Sequence, residues 1–400
     1  MDANDHMQRQ QAIGRAFTPS APMTDRDLFA GRQRQMQNLI MVESQRGQHA
    51  LVYGVRGAGK TSLARVSQAI LADSPMQPMP YHICSSSDTF ADIWRGLLSE
   101  IQWTTNKQST GFGSGAEAVM QNAAALLGED PNPQDVARTL DMISRMSSLV
   151  LVVDEFDRPS NPTVRTQVAD TIKILADRAV QVTIVLVGVA ESVEELLHEH
   201  ESIQRSLVQI EMPPMTPDEL RDVITRGMTA SSMTCDPKVM RSIVNLSQGL
   251  PHYTHLVSYH AALAAIDRDS TNVEEQDLNA ALTESLSAAS QSIRERYHSA
   301  TFSNRETLYK IVLLACAMAP KDELGSFGAP DVREQLRKVA SSNYDIPAFS
   351  AHLQQFSSDG PRGGILQRIG TTRRFRYRFR DPLMPTHVLM TGQREGVVHL

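Results

Sequence analysis

Residues Gly54 to Thr61 read Gly-Val-Arg-Gly-Ala-Gly-Lys-Thr and follow directly on the apolar run Ala50-Leu51-Val52-Tyr53. Glycines at 54, 57 and 59 allow backbone conformations that a Cβ forbids. The successive N–H groups of Gly54, Val55, Arg56, Gly57, Ala58 and Gly59 can therefore converge on phosphate oxygens. Lys60 then reaches the β- and γ-phosphates, and the Thr61 hydroxyl, with Ser62 beside it, is placed to ligate Mg²⁺. The stretch Thr61 to Leu71 has helical composition, which sets the phosphates at a helix N-terminus whose dipole favours negative charge. Strand, glycine-rich cradle and helix in this order predict a nucleotide-phosphate site on a parallel α/β sheet.

A second element narrows the class. Ser148 to Val153 is an unbroken apolar run closed by Asp154 and Glu155, the pattern of a strand buried on both faces of a parallel sheet. Carboxylates at the C-terminal end of such a strand point into the ligand crevice. Asp154 can hold Mg²⁺ through water, and Glu155 can orient or deprotonate an attacking water. Phosphoryl transfer needs these roles because its catalysis is mostly positioning and charge neutralisation.

A chain of 400 residues exceeds one ordinary core, so two or three domains are expected. With 41% hydrophobic and 21% charged residues the composition is that of a soluble globular protein. No apolar stretch approaches the ~20 residues that span a bilayer, and the acidic, polar start Met1-Asp2-Ala3-Asn4-Asp5 is not a secretory signal. Cys84, Cys235 and Cys316 lack metal-motif spacing, which points to a reducing cytoplasm and away from a disulfide or zinc framework. A net charge of −6 does not advertise nucleic-acid binding. However, Arg362, Arg368, Arg373, Arg374, Arg376, Arg378 and Arg380 form a basic patch without an acid between the first and last of them.

Along the chain, residues 1–25 read as a polar, flexible lead. Strand-like runs at His49 to Tyr53, Pro80 to Ser85, Ser148 to Phe156, Gln181 to Val189 and Ser206 to Met212 alternate with helical segments, the signature of a doubly wound sheet with helices on both faces. The glycine- and turn-rich segment from Thr104 to Pro133 reads as a mobile insertion with a short helix near Ala116 to Leu127. At Thr216-Pro217-Asp218-Glu219 an N-cap hydroxyl, a first-turn proline and a capping-box acid announce a helix. Helices over Pro217 to Met228, Pro237 to Gln248, Pro251 to Asp267 and Glu274 to Tyr297 then give an α-helical lid. Three further helices, the last over Pro347 to Phe356, precede two strands between Gly364 and Phe379, the order of a winged helix-turn-helix. The expected domains are a nucleotide-binding α/β domain over 26–214, the lid over 215–298 and a winged-helix domain over 299–395.

Taken together, these motifs resemble the AAA+ P-loop ATPases of the origin-recognition and helicase-loader subgroup, and also related bacterial AAA proteins and transposition-regulator ATPases. The resemblance implies that Phe29-Ala30-Gly31-Arg32 opens the domain, with Gly31 and Arg32 beside the adenine. Gly54 to Thr61 matches Walker A, and Leu149 to Glu155 matches Walker B. Val187 to Ser192 corresponds to the sensor 1 segment, with Glu191 where a polar amide is usual and with Ser192 or Thr183 as the alternatives. Ile203-Gln204-Arg205-Ser206-Leu207 is similar to the segment bearing the arginine finger, which makes Arg205 the residue that completes a neighbouring subunit's site. Gln248-Gly249-Leu250-Pro251-His252 resembles the sensor 2 region, with His252 in place of the usual arginine. On the strand Arg376-Tyr377-Arg378-Phe379 basic and aromatic side chains alternate, leaving one arginine face for phosphates.

Two functions follow. One is an ATP-hydrolysing switch that forms homo-oligomers and acts on double-stranded DNA through Arg373, Arg374, Arg376 and Arg378. The other keeps ATP and Mg²⁺ but makes the winged helix dock a protein effector, as in a signalling or phage-defence ATPase. A small-molecule kinase is disfavoured, since nothing suggests an acceptor pocket.

Overall fold

The computed structural model describes residues 3–72, 79–108, 116–189, 203, 205–303, 308–322, 325–340, 343–370 and 375–398. They fall into two units, Pro22–Pro213 and a second made of Met1–Ala21 with Pro214–Leu400. The chain opens with helix α1 (Ala3–Ala16), which belongs to the second unit.

The first unit runs α2 (Gln33–Glu43), β1 (His49–Gly54), α3 (Lys60–Ala72), β2 (Tyr81–Ile83), α4 (Phe90–Ser99), β3 (Gln102–Gln108), β4 (Ala116–Asn122), α5 (Pro133–Ser144), β5 (Leu149–Asp154), α6 (Pro162–Asp177), β6 (Val182–Val189) and β7 (Leu207–Glu211). Five strands form one parallel sheet in the order β2-β5-β6-β1-β7. Strand periodicity explains how it is covered on both faces. Ala50, Val52, Val150 and Val152 pack with Leu39 of α2 and Leu63 of α3, whereas Leu51, Leu149, Leu151 and Val153 pack with Trp94, Leu140 and Ile172 of the helices opposite. Since β5 is buried along its whole length, its sequence shows no polar alternation, as a doubly covered strand requires. Parallel strands share one C-terminal edge, so Gly54, Ile83 and Asp154 end on the same side of the sheet.

Between α4 and α5 the expected short helix is replaced by the antiparallel hairpin β3–β4, followed by a single 3₁₀ turn, Ala123–Leu126. The residues Ala116, Val119, Met120, Ala123 and Ala124 do have helical spacing, but pairing with β3 satisfies the backbone of Ala116–Asn122 instead, a case of tertiary context overriding local propensity. Gly111, Gly113 and Gly115 lie outside the described residues.

The second unit contains the helices Pro217–Ala230, Pro237–Ser247, Pro251–Asp267, Glu275–Ala288 and Gln291–Thr301, with the short parallel pair β8 (Thr234–Cys235) and β9 (Asn272–Val273). Thr216 and Glu219 form the expected reciprocal cap, Glu219 N–H donating to Thr216 Oγ1 at 3.3 Å and Thr216 N–H to Glu219 Oε2 at 2.8 Å. The single helix expected over Glu274 to Tyr297 is broken: Ala289 and Ser290 turn extended, and the Ser290 hydroxyl caps the next helix at Ile293 N–H. Ser290 favours this because its side chain competes with helical backbone bonding. The tail follows with helix Tyr309–Met318, β10 (Phe327–Gly328), helices Ala329–Val339 and Ile346–Ser357, β11 (Leu366–Ile369), β12 (Arg376–Phe379) and helix Met384–Arg394. Its small antiparallel sheet has the order β10-β12-β11.

The first residues depart most from expectation. Instead of a flexible lead, Ala3–Ala16 is helical and packs on the helices Pro217–Ala230 and Pro251–Asp267. Ile13, Ala16 and Phe17, spaced one helical turn apart, are buried, a narrow apolar stripe that the surrounding glutamines mask. Gly227 makes room for it, because a Cβ there would lie 2.4 Å from the Phe17 ring. Phe17→Ala should therefore destabilise the second unit by about 3–5 kcal/mol, the usual cost of emptying a buried phenylalanine site, measured by urea unfolding. A change below about 1 kcal/mol would mean that this segment is peripheral.

Candidate active site

The cradle is built by backbone conformation. Gly54, Gly57 and Gly59 have φ values of 147°, 81° and 90°, a region that side chains rarely adopt. At Gly54 a Cβ would also meet the carbonyl oxygen of Met212 at 2.7 Å. Lys60 opens α3 and folds into the loop, its Nζ donating to the carbonyls of Gly54 and Val55, both at 2.9 Å. Arg56 is exposed at the loop tip, and Thr61 and Ser62 are half-buried in the first turn of α3. Ser62 Oγ accepts from Met23 N–H at 3.1 Å.

Arg32 behaves differently from the adenine-side residue that the resemblance implies. Gly31 and Arg32 both adopt left-handed backbone, with φ of 64° and 58°. The buried Arg32 guanidinium donates to the Ala58 carbonyl of the cradle at 3.2 Å and to the Pro213 carbonyl at 2.5 Å. A charged fork bound to two carbonyls ties the cradle to the segment following β7.

Asp154 closes β5 at 2% exposure. Its Oδ2 accepts from the Tyr81 hydroxyl at 2.6 Å, and its Oδ1 from Glu155 N–H at 2.8 Å. A carboxylate offers about four acceptor positions, so capacity remains on both oxygens. Tyr81, on β2, lies under the Arg65 guanidinium of α3, whose Cζ is 3.4 Å from the ring centre. Burial, and then the Asp154 charge, push the Tyr81 phenol far above its ordinary value, so it is a permanent donor here. Nothing in the local residues marks this tyrosine, since an aromatic side chain on a short strand reads as core.

Glu155 stands directly after the strand with φ of 52°, a strained conformation of the kind that clusters at functional sites. Its Oε2 is bridged by Arg158 Nη1 at 2.7 Å. Two residues farther on, Asp157 Oδ1 accepts from Val189 N–H at 2.8 Å, and Phe156 N–H donates to the Val187 carbonyl at 2.9 Å, tying this loop to the end of β6. Arg158 and Asp157 escaped the sequence reading, although a base three residues after an acid is a recognisable pairing signal.

These groups form one charge cluster. Burial lowers the Lys60 ammonium to about 8, opposed by the charges of Asp157, Asp154 and Glu155 and reinforced by Arg56. Because the folded value lies below the ordinary 10.5, protonated Lys60 costs stability at neutral pH, a cost relieved as pH rises from about 8 towards 10.5. A cation held at a cost beside carboxylates is what an anionic ligand repays. The residues present also fit Mg²⁺: a buried carboxylate with spare acceptor capacity, oxygen donors, and the Thr61 hydroxyl at the helix start.

The remaining expected residues are scattered. Arg205 is exposed at the turn before β7, and Thr183 is buried within β6. Glu191 and Ser192 lie outside the described residues. His252 occupies the first turn of the helix Pro251–Asp267 in the second unit, half-buried and edge-on to Tyr253.

The arginine patch is not the open row expected. Tyr377 and Phe379 do face the core of the tail, alternating with the arginines. Yet Arg376 bridges Asp322 at 3.0 Å and binds the Ser326 hydroxyl at 2.7 Å. Arg378 donates to Gln367 at 2.8 Å, Arg380 to the Leu366 carbonyl at 3.3 Å, and Arg362 to the Ala300 carbonyl at 3.0 Å. Arg368 covers the Phe375 ring at 4.1 Å. Internal acceptors were invisible in the local sequence because Asp322 and Ser326 lie some 50 residues upstream. Arg373 and Arg374 lie outside the described residues.

Among solved structures, the ORC2 protein of Aeropyrum pernix, in its ADPNP–ADP complexes, is 13% identical over 96% of this chain and 98% of that one, with a TM-score of 0.53. A Walker-type ATPase of Pyrococcus abyssi is 17% identical over 92% and 98%, also with a TM-score of 0.53. These likenesses establish the fold, that of the origin-recognition-like AAA+ ATPases. No curated protein matches the chain at a significant level. The family model for novel STAND NTPase 1 matches residues 16–338, and the chain, with its phosphate cradle and paired acids on a parallel sheet, belongs to that NTPase family.

Proposed function

We propose that the chain is an ATP-hydrolysing molecular switch that assembles into homo-oligomers when it binds ATP. One observation carries the reading: Lys60, Asp154 and Glu155 share a charge cluster at the C-terminal edge of a parallel sheet. The converging amides of the cradle and the Lys60 ammonium would bind the phosphates, exchanging the Gly54 and Val55 carbonyls for phosphate oxygens at Nζ. Thr61 and Asp154 would hold Mg²⁺, which supplies charge neutralisation between the phosphates. Tyr81 fixes the orientation of Asp154. Glu155 orients and deprotonates the attacking water, and must leave Arg158 to do so. Arg205, exposed before β7, is assigned to a neighbouring copy's γ-phosphate, and His252 to sensing the nucleotide. A cytoplasmic site of action agrees with free cysteines at 84, 235 and 316. No helix among the described residues is long and apolar enough to cross a membrane.

The tail, whose three helices and hairpin have the element order of a winged helix, favours a protein effector over DNA. Its arginines are engaged internally at Arg362, Arg376, Arg378 and Arg380, and phosphate contacts by free Lys and Arg supply most non-specific DNA affinity.

Light scattering after size exclusion, with and without ATP·Mg²⁺ and duplex DNA, tests both parts. ATP-dependent assembly is expected in the wild type and lost in Lys60→Ala. Arg205→Ala should still bind ATP but turn it over at least about 10³-fold more slowly, as expected for a finger in trans. DNA should add no mass; DNA-dependent assembly abolished by Arg376→Ala and Arg378→Ala would restore the DNA reading.

The Glu155–Arg158 pair generates a second expectation. Its side chains are 44% and 53% exposed, and such pairs are weak, so the pair is a restraint on the base that is easily released. Arg158→Ala should raise basal ATP turnover a few-fold with unchanged ATP affinity, whereas Glu155→Gln should abolish turnover. A fall in turnover for Arg158→Ala would assign the arginine to catalysis instead.

A further inference from the structure

The strand that carries Tyr81 has a second chemical face. His82 and Cys84 are two residues apart and so share the side of β2 opposite Tyr81, turned towards α4. Cys84 packs there among Phe90, Ile93 and Trp94, and the His82 ring lies over Gly96 of α4, where a Cβ would come within 2.3 Å of its Nδ1. The chain then turns back at Ser85, bringing Asp88 to His82: Asp88 Oδ2 and His82 Nε2 are 2.7 Å apart. One donor atom from each of His82, Cys84 and Asp88 lies within 4.8 Å of the other two.

We propose that His82, Cys84 and Asp88 form a three-ligand site for a zinc ion, with a fourth position for water. The donor set is one imidazole nitrogen, one thiolate and one carboxylate, the ligand types that zinc takes. Zinc bonds of ~2.0–2.3 Å in tetrahedral array separate donor atoms by about 3.3–3.7 Å, a span that small rotamer changes reach from the present arrangement. Outer partners are in place as well, since Ser85 donates to Asp88 through both its N–H, at 3.1 Å, and its hydroxyl. Such contacts orient ligands and support affinity.

The electrostatic setting favours a cation. Burial pushes the Cys84 thiol up to about 12, and Asp88, Asp154, Asp157 and Glu155 add to the rise in that order. The carboxylate part of that rise attracts a divalent ion, whereas the larger burial part is a cost that the ligand bonds must offset. On binding, the sulfur–zinc bond forms as the thiol proton leaves to solvent, so affinity rises with pH.

Position gives the site a role. Among the described residues β2 is an edge strand paired with β5, and the segment it opens supplies two bonds to Asp154: Cys84 N–H to its carbonyl at 2.8 Å and the Tyr81 hydroxyl to its carboxylate. A zinc ion clamping His82 and Cys84 to the Ser85–Asp88 turn would pin this edge, and through it the acid assigned to magnesium.

Titration of the metal-free full chain with Co²⁺ tests the proposal independently of nucleotide binding. One equivalent should give thiolate-to-cobalt charge-transfer absorption and the intense d–d bands of a tetrahedral ion, both displaced by Zn²⁺. Cys84→Ser should lose the charge-transfer absorption. His82→Gln and Asp88→Asn, which keep the core cysteine, should retain it with affinity lowered more than the ~10–100-fold typical of an outer-shell change. Circular dichroism reports folding of each variant. Lys60→Ala, which disables the phosphate cradle, should leave the spectrum unchanged, as should Cys235→Ser. No charge-transfer absorption in the folded wild type, its persistence in Cys84→Ser, or its loss in Cys235→Ser would overturn the assignment.

Discussion

A carboxylate held almost out of water at the end of a central strand is the constraint around which the first unit is arranged. Asp154 is 2% exposed, and a buried charge survives only with good partners. Those partners dictate much of the surrounding architecture. Tyr81 must sit on the neighbouring strand, Arg65 must come from α3 to cover its ring, and the chain must turn at Glu155 so that its N–H meets the carboxylate. Lys60, buried nearby and lowered by desolvation, makes the cluster a balanced set of opposite charges. Leu51, Val52, Val152 and their neighbours supply the apolar seat that keeps this set rigid.

Several connections attached to that cluster lie at the C-terminal edge of the sheet. The Arg32 guanidinium ties the cradle to Pro213, the Phe156 and Asp157 contacts tie the acidic loop to β6, and the Glu155–Arg158 bridge restrains the acid proposed as base. These links differ in strength. Buried backbone contacts persist, whereas an exposed ion pair is readily exchanged. A site fixed in its framework yet restrained at its base suits a switch whose chemistry waits on a second event.

Much of this was legible in the residues. Apolar runs closed by glycines or acids located β1, β5 and β6, because a strand buried on both faces has nothing polar to hide it. The cradle was legible because only glycine tolerates its left-handed backbone. What escaped depended on distant partners. Tyr81 reads as core until Asp154 is found opposite its hydroxyl, and Arg376 reads as a free cation until Asp322 appears beside it. The stripe of Ile13 and Phe17 is too narrow to stand out among glutamines, and its acceptor, Gly227, is more than 200 residues away. Likewise, cysteine spacing carries no sign of His82, Cys84 and Asp88, since their meeting depends on a strand and a turn rather than on a motif.

In the proposed switch a partly destabilised lysine grips the phosphates within reach of the paired acids. The most direct measurement is the affinity for ADP·Mg²⁺ as a function of pH, by calorimetry, for the wild type and for Lys60→Ala. With the free ammonium at about 8, wild-type affinity should hold at neutral pH and fall as pH climbs past about 8, where binding must first restore the proton. The alanine variant should bind weakly with no such fall. A pH-independent wild-type affinity, or the same fall in both proteins, would contradict the account.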